Sequence, residues 1–593
     1  MGIQAAAGPA TTFYSTVSNL PSEVERRRRL LTRMLPLGAV ALVAFVAGAA
    51  TGAPGAPERD VATRYAEAWA DSDFALMHRE LNESSRRQVT LDEFAAAYRE
   101  AAEIATLRGI DPSDPGDSES AQGVTLVPIP IDLTTVAFGS LETELALPYA
   151  DGGIAWDPRL VFPGLRRGER LEAEVELAER GPILARDGSA LAEGPAEARE
   201  HPLGSAAIDV TGEIGMAEPE DLERLARQGF PPETPVGVSG VEQALNQRLA
   251  GKPGGSLLAV AETGGAERVL AQSEPRPGAP VKTTIDPELQ AATVAALAGR
   301  FGGIAVLDTR SGDIRALAGQ AFSAPQPPGS TFKMITTVAA LQEGVVTMDE
   351  SFPIVDGVNV GGRFIHNANG EFCGGTFREA FAESCNADFA PLGPEIGNDD
   401  LVAAAERFGF NAPLTLYAPR IVRELDPAES TIPEEIGEEV DLGVSAIGQG
   451  EVLATPLQMA SVAQTIANGG VRMPTSLVAN RKLRPEAEPV RVMSKKTANQ
   501  LTELMVGVVA GGTGTAGAIA EAQVAGKTGT AELGPKPGQE DLPNPVQVKD
   551  AWFAAFAPAE RPQLAVSVLL IEAEASGGEV AAPAASTVLS AGL

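Results

Sequence analysis

Ser330-Thr331-Phe332-Lys333, Ser384-Cys385-Asn386 and Lys527-Thr528-Gly529-Thr530 occur in that order along the chain, and these short stretches decide how the rest is read. A hydroxyl and an amine three residues apart on a helix share one face. The serine hydroxyl is a weak nucleophile at neutral pH, so a neighbour must take its proton during attack. Lys333 serves only if its pKa is lowered, by removal from water or by a second cation such as Lys527. Pro327-Pro328-Gly329 imposes a non-helical approach, after which Ser330 to Gly344 reads as one helix stopped by Gly344. Ser330 at a helix start has the dipole and free backbone N–H groups beside it, a setting suited to an oxyanion.

Ser384 and Asn386 fall in Glu383-Ser384-Cys385-Asn386-Ala387, which reads as a loop entering a helix with both side chains facing a cleft. Val524 to Glu532 reads as an edge strand in which Gly526 and Gly529 admit the backbone of a ligand. An extended peptide can add to such an edge, with Lys527, Thr528 and Thr530 near its terminal carboxylate.

Other chemistries are poorly supported. The three histidines, His78, His201 and His366, are far apart in sequence, and Cys373 and Cys385 are the two cysteines. Neither a zinc or iron ligand pattern nor a Ser-His-Asp arrangement follows from them, so no metal and no cofactor are expected. A formal charge of -33 argues against nucleic acid as a partner.

At 593 residues the chain exceeds one compact core. Arg26, Arg27, Arg28, Arg29 and Arg33 precede an apolar stretch from Met34 to about Ala53, which predicts a cytoplasmic tail over 1–33 and a single membrane anchor over 34–53. Ala47, Ala49 and Ala53 leave a cleaved signal peptide as the alternative. Helical spacing of Val61, Tyr65 and Trp69 followed by alternating segments Val124–Leu133 and Leu141–Leu147 predicts a small α+β domain, with a turn at Gly152-Gly153. Asp187-Gly188 reads as a tight hairpin and Gly251 as a helix stop. Asp286-Pro287 opens a helix, Gly303–Asp308 and Ile314–Leu317 form one hairpin, and Ala551–Phe556 and Leu564–Ile571 form another. The Pro- and Gly-rich segment Gly534–Lys549 reads as a mobile flap.

The three motifs together resemble the signature of penicillin-binding proteins and serine β-lactamases. Ile447-Gly448-Gln449-Gly450, Ala454-Thr455-Pro456-Leu457-Gln458-Met459, Gly511-Gly512-Thr513-Gly514-Thr515 and Ala551-Trp552-Phe553 match family stretches as well. Arg180 to Gly188, Gly237 to Glu242 and Leu249 to Gly255 resemble the pedestal of class B penicillin-binding proteins. Ile154 to Leu165 looks like the closing stretch of the N-terminal domain, related to nuclear transport factor two, of penicillin-resistant transpeptidases. The resemblance implies a multidomain α+β protein: the anchor, a cone-like domain over 58–160, a β-rich pedestal or dimerisation domain over 161–280, and over 281–593 a transpeptidase domain with an antiparallel sheet flanked by helices.

It also implies roles. Ser330 is the nucleophile, Lys333 its base, Ser384 the proton shuttle, and Asn386, Lys527, Thr528, Gly529 and Thr530 bind substrate, with the backbone N–H of Thr530 as second oxyanion donor. The implied reaction is D,D-transpeptidation of peptidoglycan stem peptides outside the cell membrane, with β-lactams as covalent inhibitors and a membrane glycan polymerase as partner. A D,D-carboxypeptidase and a penicillin-binding scaffold or sensor are the alternatives. Asp550 stands where many relatives have histidine or serine, so contacts near the cleft are expected to differ. Cys373 and Cys385 in an oxidising compartment are open to two states, a disulfide beside Ser384 or two buried thiols.

Overall fold

The computed structural model describes residues 56–261, 267–417, 427–536, 538 and 547–593. The expected tail, the anchor and the middle of the expected flap lie outside the described residues. Among the described residues no helix is long and apolar enough to cross a membrane.

The chain divides into two compact units: one holds the described residues up to Ala102 with Gly109–Thr134 and Leu141–Arg170, and the other holds the rest. In the first, helices Pro57–Ala70 and Leu91–Ile104 bury Tyr65, Trp69, Phe94 and Tyr98. The long strand Val124–Thr135 buries Val127, Ile129, Ile131 and Leu133, every second residue, as one face against a core requires. Its partner Ser140–Ala150 turns into Gly153–Ile154 with Ala150 opposite Gly153. The turn residues are therefore Asp151 and Gly152, at φ 50° and 83°, one residue earlier than the sequence suggests.

In the second unit, Ile183–Leu184 runs antiparallel to Ala190–Ala192 across the Asp187-Gly188 turn and parallel to Val281–Lys282. A buried ionic cluster lies beside them. Arg180 Nε and Arg199 Nε each donate to one oxygen of Glu242 at 2.7 Å, and Arg180 also reaches Asn246 Oδ1 at 2.9 Å. One carboxylate is shared by two guanidinium groups, and further N–H groups are met by Asn246 Oδ1 and by the carbonyls of Glu242, Gly194 and Gly181.

A five-stranded sheet organises the C-terminal part. Strands β1 (Gly302–Asp308), β2 (Ile314–Gly319), β3 (Ala525–Pro535), β4 (Gln547–Ala557) and β5 (Leu564–Ala573) lie in the order β2-β1-β5-β4-β3, all antiparallel. The chain thus closes its sheet with strands from both ends of this region. Val306, Phe553, Val566 and Val568 face a helix over Pro287–Leu297 and the last helix Ala582–Gly592. Trp552, Ala554, Phe556 and Leu569 face a core containing Met459, Val462, Leu501 and Met505. Covered on both sides, β4 over Ala551–Ala557 and β5 over Leu564–Ile571 read in sequence as apolar runs broken only by Ser567.

The expected helix from Ser330 begins differently. Gly329–Phe332 form a 3-10 turn, and the α-helix proper, α1, runs Lys333–Glu343 with Gly344 left-handed at φ 72°. Gly534 and Pro535 end β3 and Gln547 begins β4, so both ends of the expected flap are strand.

Candidate active site

The turn that carries Ser330 is held by backbone packing that only glycine permits. Gly329 sits at φ 51°, and a Cβ there would lie 2.7 Å from the Thr530 carbonyl oxygen. A Cβ on Gly448, at φ 73°, would lie 2.1 Å from the Gly329 oxygen, to which the turn is already joined by Gly329 N–H donating to Gly448 O at 2.8 Å. Trp552 Nε1 donates to Pro327 O at 2.9 Å and Thr331 Oγ1 to Pro328 O at 2.7 Å. Phe332 anchors the turn inward, edge-on to Phe410. Ser330 itself is half-buried, at the tip.

One turn on, Lys333 is fully buried. Its Nζ donates to the Ser384 carbonyl at 2.7 Å and to Asn386 Oδ1 at 2.8 Å, and lies 3.5 Å from Ser384 Oγ. Burial drives its pKa well below the usual lysine value, the positive charge of Lys527 adds to that, and Asp388 opposes it. The ammonium also stands 5.2 Å from the centroid of the Phe389 ring.

Ser384 and Asn386 flank the start of a short helix, α3 (Asn386–Phe389), which follows α2 (Phe377–Ala382). Ser384 holds the left-handed conformation at φ 64°, costly for a residue with a Cβ, which turns its carbonyl and hydroxyl toward the two lysines. Lys527, on edge strand β3, donates to Ser384 Oγ at 2.7 Å and to the Thr528 carbonyl at 3.1 Å. Burial lowers its pKa to about 7. Ser330, Lys333, Ser384, Asn386 and Lys527 therefore come from three separate segments, and the last four form one hydrogen-bonded group.

The remaining positions take other orientations. Thr528 is buried, its hydroxyl 2.6 Å from Thr513 Oγ1, while Thr513 N–H donates to Ala382 O at 3.1 Å. The Gly511–Thr515 stretch thus ties β3 to the end of α2. Thr530 Oγ1 accepts from Gly577 N–H at 3.3 Å, and Gln449 Nε2 approaches the Thr530 carbonyl at 3.5 Å. A Cβ on Gly529 would meet Pro328 O at 2.7 Å, and one on Gly526 would meet the Phe553 ring at 2.5 Å. Both glycines are thus needed for packing within the protein, Gly529 against the Ser330 turn and Gly526 against the aromatic core, in addition to the ligand approach expected from sequence.

Of the two states open to Cys373 and Cys385 the structure has the disulfide, with Cα atoms 5.8 Å apart. A further residue goes beyond the sequence reading. Asp388, two residues past Asn386, is buried with Oδ2 unpartnered, and burial raises its pKa to about 6 despite the opposing effect of Lys333. The available signal was an acidic residue inside the Asn386-Ala387-Asp388-Phe389 helix, whose inner face must be apolar. Among the described residues no group of His, Cys, Asp and Glu is arranged to hold a metal ion.

Comparison with known proteins agrees with this geometry. Residues 302–590 match the penicillin binding protein transpeptidase domain family, and residues 194–283 the penicillin-binding protein dimerisation domain family. The chain is 40% identical over 299 residues to the peptidoglycan D,D-transpeptidase PbpA of Mycolicibacterium smegmatis, a match covering 47% of this chain and 57% of that one. The chain therefore spans less than two thirds of that curated relative. The crystal structure of the D,D-transpeptidase domain of a peptidoglycan glycosyltransferase from Eggerthella lenta superposes with a TM-score of 0.55 at 30% identity, covering 70% of this chain and 98% of that one. Penicillin-binding protein A of Mycobacterium tuberculosis, as its ceftriaxone acyl-enzyme complex, gives 0.55 at 29% identity, covering 70% and 98%.

A serine-and-two-lysine cleft at the edge of an antiparallel sheet, following a dimerisation domain, defines the class. The chain belongs to the class B penicillin-binding protein family.

Proposed function

We propose that this protein is a peptidoglycan D,D-transpeptidase that crosslinks stem peptides through an ester on Ser330. The observation that carries the reading is the convergence of Lys333, Lys527, Ser384 and Asn386 in one hydrogen-bonded group, with Lys333 one helical turn along the chain from Ser330. Neutral Lys333 accepts the Ser330 proton as Oγ bonds to the carbonyl carbon of the penultimate D-alanine. Backbone N–H groups of Ser330 and Thr530 receive the oxyanion. The proton then passes from Lys333 through the Ser384 hydroxyl to the nitrogen of terminal D-alanine, the C–N bond breaks, and the ester remains. Attack by an amine of a second stem, with its proton returning by the same route, forms the crosslink and frees Ser330.

Asn386 positions the stem backbone. Edge strand β3 docks the extended stem, and Lys527 and Thr530 face its terminal carboxylate, with Thr528 acting through Thr513 and Gly529 keeping β3 against the nucleophile turn. A β-lactam acylates the same serine, as the acyl-enzyme complex of the Mycobacterium tuberculosis relative illustrates for that protein. The basic flank and apolar run over 34–53 support a single-pass anchor with 58–593 outside the membrane, where a membrane glycan polymerase supplies strands. The helices and the antiparallel sheet of the N-terminal unit support a cone-like domain over 58–160 that serves as a spacer, and the family matches support a pedestal over 161–280 and a catalytic domain over 281–593.

Fluorescent penicillin is expected to label the wild type covalently and leave Ser330→Ala unlabelled. Given nascent glycan strands from a polymerase, the wild type is expected to form crosslinks that depend on Ser330. Trimmed stems alone would support the carboxypeptidase reading, and labelling without turnover the sensor reading.

A further inference from the structure

The loop that carries Ser384 and Asn386 is gripped from one side by a segment outside all three motifs. Strands Ser351–Val355 and Cys373–Thr376 pair with each other, and between them Gly357–Val360 pairs with Arg363–His366, making a two-part ribbon. Three consecutive loop residues are tied to it. Cys385 is bonded to Cys373, Asn386 Nδ2 donates to the His366 carbonyl at 2.9 Å, and Ala387 N–H donates to Asn367 Oδ1 at 2.8 Å. Asn367 is itself buried, and its Nδ2 donates to Val355 O at 2.8 Å and Glu371 O at 3.0 Å, so its amide is locked at both ends.

We propose that the ribbon over 351–376 is a clamp that positions the catalytic loop, with Cys373 and Asn367 as its positioning residues. The inference rests on the transpeptidase reading above. Ser384 is held at a left-handed φ of 64°, a conformation the free chain disfavours, and its carbonyl is one of the acceptors that fix Lys333 Nζ. Asn386 is the other, and its side chain spans from Lys333 to the ribbon, Oδ1 on the amine and Nδ2 on His366 O. Releasing the ribbon therefore frees both acceptors of the base at once, although neither Cys373 nor Asn367 touches Lys333 or the reacting atoms. The charged groups that face Lys333 are Lys527 from β3 and Asp388 from α3. A relaxed loop lets water reach the amine, returning it toward its ordinary protonated state.

The test is the second-order rate of acylation by fluorescent penicillin, followed across pH for the oxidised protein and for protein reduced with dithiothreitol. The dithiol passes two electrons and two protons to the bridge, leaving two protein thiols and its own cyclic disulfide. Near-ultraviolet circular dichroism verifies that the reduced protein stays folded. The expected result is a loss of about tenfold or more in rate, in line with the cost of misplacing a catalytic group. The acid limb moves to higher pH, and reoxidation restores both. Asn367→Ala shows the same displacement, and reduction of Asn367→Ala lowers the rate further. A folded, reduced protein with unchanged rate and limb overturns the clamp, since the bridge then serves only as a staple. Global unfolding on reduction overturns it too, because the bond would then be holding the whole domain. Failure of the oxidised wild type to be acylated at Ser330 would instead sink the transpeptidase reading.

Discussion

Lys333 and Lys527 converge on one residue: their Nζ atoms lie 3.5 and 2.7 Å from the Ser384 hydroxyl, and Lys333 also takes the Ser384 carbonyl. Two buried amines around one hydroxyl cannot both carry charge without mutual cost. Burial already favours the neutral form of each, and the charge of one lowers the pKa of the other.

A neutral amine at 333 is what the mechanism needs, so a side chain that cannot lose its proton is no substitute. Lys333→Arg is expected to acylate as poorly as Lys333→Ala, both slower than wild type by about 10²- to 10⁴-fold, the range for loss of a general base. The second-order labelling rate of Ser330 checks this, and efficient labelling of the arginine variant would remove Lys333 from the base role.

Lys527 gives a signature in stability. Its folded pKa of about 7 lies below the ordinary lysine value, so across the interval between them the unfolded chain binds more protons than the folded one. This contribution therefore increases stability as pH rises from about 7 toward the ordinary value, near 10.4. Lys527→Met removes that rise. Denaturant midpoints measured across this window for the two proteins are expected to diverge with pH, and parallel curves would show that Lys527 is solvated.

Much of this site was legible because its chemistry is local. Ser330 and Lys333 are a turn apart, and the glycine-bearing stretch around Lys527 reads as a strand, as it proves to be. The Asp286 cap was also readable, since its carboxylate does accept from Leu289 N–H, at 3.4 Å. What was hidden depends on partners distant in sequence. That Thr528 turns to Thr513, or that Gly529 has Pro328 behind it, is fixed by how β3 packs. The Glu242 cluster needed Arg180 and Arg199 brought together from two other segments. The 3-10 turn at Ser330 is not readable because a helix start looks alike in sequence for either hydrogen-bond spacing, and the backbone contact of Gly329 with Gly448 that accompanies it is distant in sequence.

Gly529→Ala tests whether that glycine serves the fold. Its added methyl meets the Pro328 carbonyl and Thr331 Cγ2 on the Ser330 turn, and Trp552 Cβ on β4, within 2.9 Å. The strain is expected to cost about 1–3 kcal/mol and to slow acylation as the turn shifts. A thermal melt and the labelling rate should fall together. An unchanged melt would leave the ligand-clearance reading standing.

Loss of the Glu242 carboxylate strands two buried cations. Glu242→Gln is expected to destabilise by about 3–5 kcal/mol, the usual cost of breaking a buried ion pair from one side. Chemical denaturation measures it, and a change below about 1 kcal/mol would mean that Arg180 and Arg199 find water, as an exposed pair would.

Asp388 is the residue whose removal should improve the base. Its carboxylate favours protonated Lys333, opposing burial and Lys527. Asp388→Asn deletes that charge in nearly the same volume, so Lys333 is expected to stay neutral to lower pH and the acid limb of the acylation profile to move down. Stability should respond in the same direction. The folded pKa of about 6 is above the unfolded value, so the stabilising contribution of the protonated acid is complete below the ordinary carboxyl range and is lost as pH rises through 6. The asparagine variant lacks that loss and should gain on the wild type between about pH 4 and 6. An acid limb that stays in place, together with a stability gap flat across this interval, would mean that Asp388 is ionised and screened, and that Lys333 is tuned by burial and Lys527 alone.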